Sequence, residues 1–235
     1  MSNRPLYLQV RDALAERIAS GGFLPGSAFP SEGELAREIG VSAGTVRKAL
    51  QLMESDHLVV RQQGRGTFVN DPASDEMAAR FARLHNANGA RIRGQVKSTE
   101  ITRITPSDLE RERLRLAIGA EVYRVRCVRY QKDTAFLVEE RALPADLFPG
   151  LGDNGRISDQ FTSLAQEFGI LLGSAQERIS LTMPPSPVAK ALGAASNVPV
   201  VLLDRVVFTY DSRRPVEWRL AYCNLPGSYY LAELR

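Results

Sequence analysis

Cysteine and histidine are scarce in this chain, which has two of each among its 235 residues. Cys127 and Cys223 are too few for a disulfide framework and suit a reducing compartment. The four side chains are scattered, without the paired spacing that is typical of a metal site. We therefore expect a cytoplasmic protein that holds no metal and no cofactor.

Long apolar runs are also missing. No stretch approaches the ~18 apolar residues of a membrane helix, and residues 1–5 contain no apolar signal core. The second half has neither a phosphate-binding glycine motif nor a nucleophile elbow. Charge of one sign is not in large excess, because the net charge is +3. We expect no membrane partner, and any nucleic-acid binding must depend on where the cations lie.

The N-terminal part of the sequence has the patterns of three helices. Apolar residues recur at helical spacing from Tyr7 to Ile18, which predicts a helix over about residues 6–20. Ser31 and Glu34 have the spacing of a capping box, which indicates the start of a second, short helix. Ser42 is typical of the N-cap of a third helix.

The third helix has one apolar and one polar face. The apolar stripe is formed by Val46, Ala49, Leu50 and Met53. The opposite face carries Gly44, Arg47, Lys48 and Gln51. A small residue near the N-terminus and cations further along suit a DNA major groove. An ordinary solvated helix face has the same composition, so this helix alone leaves both interpretations open.

The next element is a short hairpin. Residues 58–61 and 67–69 are strand-like, and Gly64-Arg65-Gly66 lies between them. Two glycines and an arginine at a tip allow the backbone to approach phosphates or a minor groove, although a plain glycine-rich hairpin looks the same. Three helices followed by such a hairpin predict a winged helix-turn-helix, and that order is more specific than either part.

Residues 5–69 resemble the GntR family of bacterial regulators. The matching segments are Pro5-Leu6-Tyr7, Leu24-Pro25-Gly26, Pro30-Ser31-Glu32, Leu35-Ala36, Gly40-Val41-Ser42, Thr45-Val46-Arg47, Ala49-Leu50 and Gly64-Arg65-Gly66-Thr67-Phe68-Val69. The resemblance implies double-stranded operator DNA as a partner. Thr45 and Arg47 match positions of the recognition helix, and Gly66 matches the wing-tip glycine. The full set of expected DNA contacts is Ser42, Thr45, Arg47, Lys48, Gln51, Arg65 and Gly66.

Three positions depart from the family pattern. Gly33 and Ala43 stand where the family usually has arginine, and His57 stands where it usually has glycine. Because arginine bonded to guanine is the commonest specific contact, we expect an operator that depends less on guanine. We interpret His57 as a tolerated surface residue and not as a switch.

The rest of the chain predicts a second domain. Residues 1–70 are assigned to the DNA-binding domain, residues 71–89 to a linker and residues 90–235 to the second domain. Strand-like runs are expected at residues 95–104, 122–130, 136–142, 177–183, 200–210 and 216–223, with helices after Ser107, over about 157–168 and over 188–192. Long hairpins with helices between them predict an α+β fold with a mainly antiparallel sheet.

This second half resembles the UTRA domain of the HutC-like subfamily, through residues 121–129, 138–151 and 204–222. The UTRA fold is similar to chorismate lyase and serves as a small-molecule sensor. The resemblance implies a transcriptional regulator and not an enzyme, usually a repressor, that binds its operator as a homodimer and responds to a small-molecule effector. Two alternatives remain: a lyase-like enzyme fused to a DNA-binding domain, and a DNA-binding protein that is insensitive to ligands.

Arg129 is the centre of the expected effector site. Alternation puts it on one face of its strand with Tyr123, Val125 and Cys127, where an unpaired charge is costly. Its partner is either Glu139 or Glu140 on the following strand or a polar or anionic ligand. The resemblance implies a ligand held by Arg129, Glu139, Ser158 and Glu217, with Tyr222 nearby. Cys127 replaces the family's first arginine, which predicts a less strongly anionic effector than a sugar phosphate.

Overall fold

A computed structural model describes residues 4–72, 74, 77, 80–153, 157–195, 197–210 and 212–232. The chain divides into two compact units. One unit comprises Met1–Ala78 and Gln160–Leu171, and the other comprises Ala79–Asp159 and Leu172–Arg235. The first unit thus takes in a short segment from the part of the sequence that resembles the UTRA domain.

Residues 4–69 of the first unit form three helices and a hairpin. They are α1 (Leu6–Ala19), α2 (Glu32–Ile39), α3 (Ala43–Ser55), β1 (Val59–Gln62) and β2 (Gly66–Val69), with β1 antiparallel to β2. The apolar stripe that the sequence predicted on α3 is buried. Leu14 and Leu35 are also buried, in the core of this unit. The predicted winged helix-turn-helix is confirmed.

Local signals begin and end these helices. The Ser31 hydroxyl accepts from the Glu34 amide at 3.2 Å, and the Glu34 carboxylate accepts from the Ser31 amide at 2.8 Å, so the predicted capping box is present. Gly40 ends α2 in a left-handed conformation, with a φ of 77°. The Ser42 hydroxyl then caps α3 by accepting from the Thr45 amide. The short link between these two caps fixes how α3 follows α2.

A six-stranded antiparallel sheet dominates the second unit. Its strands are β4 (Gln95–Ile104), β5 (Val122–Gln131), β6 (Thr134–Pro144), β7 (Leu172–Thr182), β8 (Val200–Thr209) and β9 (Pro215–Cys223). Their order in the sheet is β4-β5-β6-β9-β8-β7. The predicted α+β class with a mainly antiparallel sheet is confirmed.

Each face of the sheet has its own hydrophobic cluster. On one face, α4 (Asp108–Leu114) contributes Leu114, which packs with Val122, Val206 and Trp218. On the other, Leu84 and Ile92 pack with Leu137 and Cys223. Leu84 belongs to a two-stranded sheet of β3 (Leu84–Asn86) and β10 (Ser228–Tyr230), which are too short to show a sequence period.

Two further helices are short. The α5 helix spans Phe161–Glu167 and α6 spans Ser186–Leu192. The prediction that a helix begins near residue 157 is wrong, because α5 begins four residues later, after Gln160, whose side chain makes no capping bond. Ser158 therefore lies in the segment that precedes this helix and does not open it.

The backbone at His57 explains why glycine suits this position. His57 has a φ of 59°, in the left-handed region that glycine adopts at little steric cost. We predict that His57→Gly raises the free energy of unfolding of the winged-helix unit by about 0.5–1 kcal/mol, because strain relief exceeds the entropy that glycine loses. Urea denaturation of the full chain measures this change. His57→Ala, which keeps a Cβ, should give no gain, and an equal gain would contradict the backbone explanation.

Candidate functional site

The polar face of α3 is presented to solvent. Ser42, Arg47, Lys48 and Gln51 are exposed and Thr45 is half-buried. The Ser42 and Thr45 hydroxyl oxygens lie 2.9 Å apart, so a hydrogen bond between the two hydroxyl groups fixes the Thr45 side chain. The helix thus presents hydroxyl groups at its N-terminus and cations one turn later.

Two residues outside α3 hold its cations in place. The Arg47 Nε donates to Glu32 Oε2 at 2.9 Å, while 60% of the Arg47 side chain stays exposed. The Lys48 ammonium lies 4.0 Å from the centre of the Tyr7 ring, a cation–π contact. Both cations are therefore oriented and still reachable by a ligand.

The wing tip carries the remaining expected DNA contacts. Arg65 and Gly66 are exposed, and the Arg65 guanidinium lies 5.7 Å from the centre of the Phe68 ring. Gly66 has a φ of 112°, which side chains rarely tolerate, and a Cβ there would meet no other atom within 4 Å. Backbone conformation, and not lack of space, is what requires glycine at this tip.

A second group of polar side chains lies on one face of the large sheet. Cys127 is directly opposite Glu139, Arg141 is opposite Arg219, and Arg219 is opposite Arg205. Because opposite residues in antiparallel strands share a face, Arg129, Glu139, Arg141, Arg205, Glu217 and Arg219 all lie on that face. We call these six residues the ion-pair cluster. The register that the sequence left open is settled in favour of Glu139.

Glu139 is the centre of the ion-pair cluster, with 1% of its side chain exposed. Its Oε1 accepts from Arg129 at 3.1 Å and from Arg141 at 2.5 Å, and its Oε2 accepts from Arg219 at 2.5 Å. Burial alone would raise the pKa of this carboxyl, but Arg141, Arg219 and Arg129 hold it well below its usual range. Glu139 is therefore ionised, and its charge ties three strands together.

Glu217 is the second acid of the ion-pair cluster. Its Oε2 accepts from Arg205 at 3.0 Å, and its Oε1 lies 3.7 Å from the Arg141 Nε. These last two atoms are buried and lack a hydrogen-bond partner among the described residues. Arg205 also donates to the main-chain oxygen of Phe81 at 2.9 Å.

Arg129 is the most exposed arginine of the ion-pair cluster, with 14% of its side chain accessible. Its Nη2 donates to the main-chain oxygen of Asp159 at 2.6 Å, which brings the segment containing Ser158 beside it. The structure thus brings Arg129, Glu139 and Glu217 onto one face and Ser158 close to Arg129. It also contains the internal Arg129–Glu139 ion pair that was one of the two alternatives.

Tyr222 is not part of this group. It is opposite Val138 and Leu202, so its side chain points to the other face of the sheet. Burial and the nearby Glu140 raise its pKa. The expectation that Tyr222 lies near Glu217 needs correction, because residues five positions apart on a regular strand face opposite sides.

The sequence reasoning missed three arginines, Arg141, Arg205 and Arg219. Two of them sit two positions after an acid, Glu139 or Glu217, and this spacing on a strand is a readable sign of a shared face. Cys127 fills the place next to Glu139 and donates its thiol proton to Oε1 at 2.9 Å. Burial and the adjacent Glu139 raise the pKa of that thiol to about 12, which makes it unreactive.

These features define a winged-helix DNA-binding protein with a second, antiparallel α+β domain. The model of the bacterial regulatory proteins of the gntR family matches residues 6–69, and the UTRA domain model matches residues 87–226. The chain therefore belongs to the GntR regulators that carry a UTRA domain: it is a transcriptional regulator with a DNA-binding and an effector-binding domain. None of the described helices is long and apolar enough to cross a membrane.

Known relatives cover most or all of the chain. The mannosyl-D-glycerate transport/metabolism system repressor MngR of Escherichia coli (strain K12) is 27% identical over 219 residues, 90% of this chain and 91% of the relative. The histidine utilization repressor of Pseudomonas putida is 31% identical over 148 residues, 62% of this chain and 59% of the relative. YydK of Bacillus subtilis subsp. subtilis str. 168 has the same fold, with a TM-score of 0.56, 17% identity and coverage of 99% and 100%. The relatives are regulators and not enzymes.

The ion-pair cluster generates a stability prediction. Glu139→Gln removes the negative charge that Arg219 bonds to and leaves buried cations uncompensated, so we expect a loss of about 3–5 kcal/mol in unfolding free energy at pH 7. Because the pKa of folded Glu139 lies below the ordinary value near 4.3, this contribution exists above that value and is lost as pH falls through the lowered pKa.

Urea denaturation from pH 7 down to acid measures both effects. The matched control is Glu140→Gln, which removes a half-exposed acid from the next position, on the opposite face, where it pairs with Arg126. Glu140→Gln should change stability by less than about 1 kcal/mol. Equal losses for the two variants, or a Glu139→Gln deficit that does not shrink in acid, would contradict the role given to Glu139.

Proposed function

We propose that the chain is a cytoplasmic repressor that binds a two-fold operator as a homodimer and releases it when a small molecule binds the second domain. The observation that carries the DNA half is the exposed, oriented pair of Arg47 and Lys48 on the recognition helix. Two recognition helices related by a two-fold axis would read two half-sites about one helical turn apart. Residues 1–70 would bind DNA, residues 90–235 would bind the effector, and residues 71–89 would link the two domains.

Each expected DNA contact has a distinct role in this proposal. Arg47 would read a base edge, while Lys48 and Arg65 would neutralise phosphates. Ser42, Thr45 and Gln51 would donate to phosphates or bases, and Gly66 would let the wing enter a minor groove. Because Gly33 and Ala43 supply no cation, the operator would depend less on guanine than is usual in the family.

The effector would bind at Arg129, Glu139, Ser158 and Glu217. Arg129 is the cluster member most exposed to solvent, and Ser158 is adjacent to the residue that Arg129 bonds. Four arginines of the cluster face three acids: Glu139, Glu217 and Glu177, which is opposite Arg205. One excess positive charge suits a singly charged group such as a carboxylate better than a phosphate dianion. Mannosyl-D-glycerate and histidine, after whose metabolism two relatives are named, each carry one carboxylate.

The DNA half is tested by removing single cations. The probe is an operator selected by the full chain from random DNA. Arg47→Ala should weaken operator binding about 5- to 150-fold, the range of one base contact, and relax one base position. Lys48→Ala should weaken binding to all sequences about equally and reduce the salt slope by roughly one.

Titrations of operator and random-sequence DNA at several salt concentrations measure both effects. The control is Arg126→Ala, which removes an exposed cation from the other unit. If Arg47→Ala left operator affinity and base preference unchanged in a folded protein, α3 would not be the recognition helix.

A further inference from the structure

Glu32 is the first residue of α2 and bonds two arginines from different elements. Its Oε2 accepts from Arg47 on α3 at 2.9 Å, and its Oε1 accepts from Arg61 on β1 at 3.4 Å. Arg61 also donates from its Nη2 to the main-chain oxygen of Arg47 at 3.4 Å. A single carboxylate thus joins α2, the recognition helix and the wing.

The way Glu32 bonds Arg47 leaves the reading atoms available. It takes the Nε, and neither terminal nitrogen of Arg47 donates a hydrogen bond to any residue that the structure describes. Those two nitrogens form the fork that arginine uses on the edge of a base or on a phosphate. A side chain that is 60% exposed would otherwise sample many rotamers. Fixing it in advance lowers the entropy that binding must overcome.

Arg61 keeps Glu32 in place from the other side. The Glu54 carboxylate holds Arg61 through its Oε2, 3.6 Å from the Arg61 Nε, and through its Oε1, which accepts from the Arg61 amide at 3.2 Å. Glu34, the other acid in the first turn of α2, is occupied by the capping box. Glu32 is therefore the acid of this turn that is directed at the recognition helix.

We propose that Glu32 is a positioning residue for DNA recognition, which orients Arg47 for reading a base and ties the recognition helix to the wing. The inference rests on the proposed DNA-binding function of α3. Two simpler roles give different outcomes. An acid at a helix N-terminus stabilises the helix dipole without affecting base preference. An acid that competes with DNA for Arg47 would inhibit binding, so its removal would increase affinity for the operator.

Two substitutions separate these roles. Glu32→Gln removes the charge, and Glu32→Asp keeps the charge but shortens the side chain, so that it cannot reach both arginines. The measurement is the ratio of affinities for the selected operator and for random-sequence DNA, determined with the full chain. Both variants should lower this ratio about five- to tenfold, the low end of what one base contact contributes. Non-specific affinity should not fall, because no cation is lost.

Controls distinguish the possible failures. Glu38 lies on the same helix and pairs with Arg17 at 2.8 Å. The control variant Glu38→Gln should leave the ratio of affinities unchanged. In an Arg47→Ala background, Glu32→Gln should have little further effect on the ratio, because the two residues act together. An unchanged or increased ratio for both Glu32 variants would overturn the proposal. If the wild-type chain selected no operator at all, the DNA-binding function itself would fail instead.

Discussion

The buried charge of Glu139 is the interaction on which the second domain depends. A carboxylate with 1% of its side chain exposed can remain ionised only because three guanidinium groups bond to it. Those groups come from three neighbouring strands, β5, β6 and β9. Any shift in register by one residue would turn Glu139 or one of its arginines to the other face and leave a buried charge unpaired. The cluster therefore specifies the register of the central sheet, and it does so around the place where the effector is proposed to bind.

The DNA-binding unit is built differently. Its core is apolar, and its charges lie on the surface, where single ion pairs contribute little to stability. Here an ion pair and a cation–π contact have another use, because Glu32 holds Arg47 and Tyr7 holds Lys48 in a defined position while both cations stay exposed. In one domain ion pairs fix the fold, and in the other such contacts orient side chains that we propose to meet DNA.

The two halves also differ in how far the sequence predicts them. The capping signals at Ser31 and Ser42 act within four residues, so α2 and α3 could be predicted closely. Strand β6 is buried on both faces over much of its length, which removes the alternation that would have shown its register. The partners of Glu139 lie up to 80 residues away along the chain, so Arg219 could not be assigned to it from local pattern. The separation of Tyr222 from Glu217, in contrast, could have been read from their odd spacing.

In the function that we propose, Arg129 connects the ion-pair cluster to a ligand and so controls binding to the operator. The most direct test uses a carboxylate metabolite, found by its stabilisation of the wild-type chain against heat, and measures operator release as its concentration rises. The Arg129→Ala variant should bind the operator as the wild type does but no longer release it, while Arg126→Ala, on the opposite face, should release it normally. Full release of the operator by the Arg129→Ala variant with the same metabolite would show that Arg129 is not part of the effector site and leave it as a structural partner of Glu139.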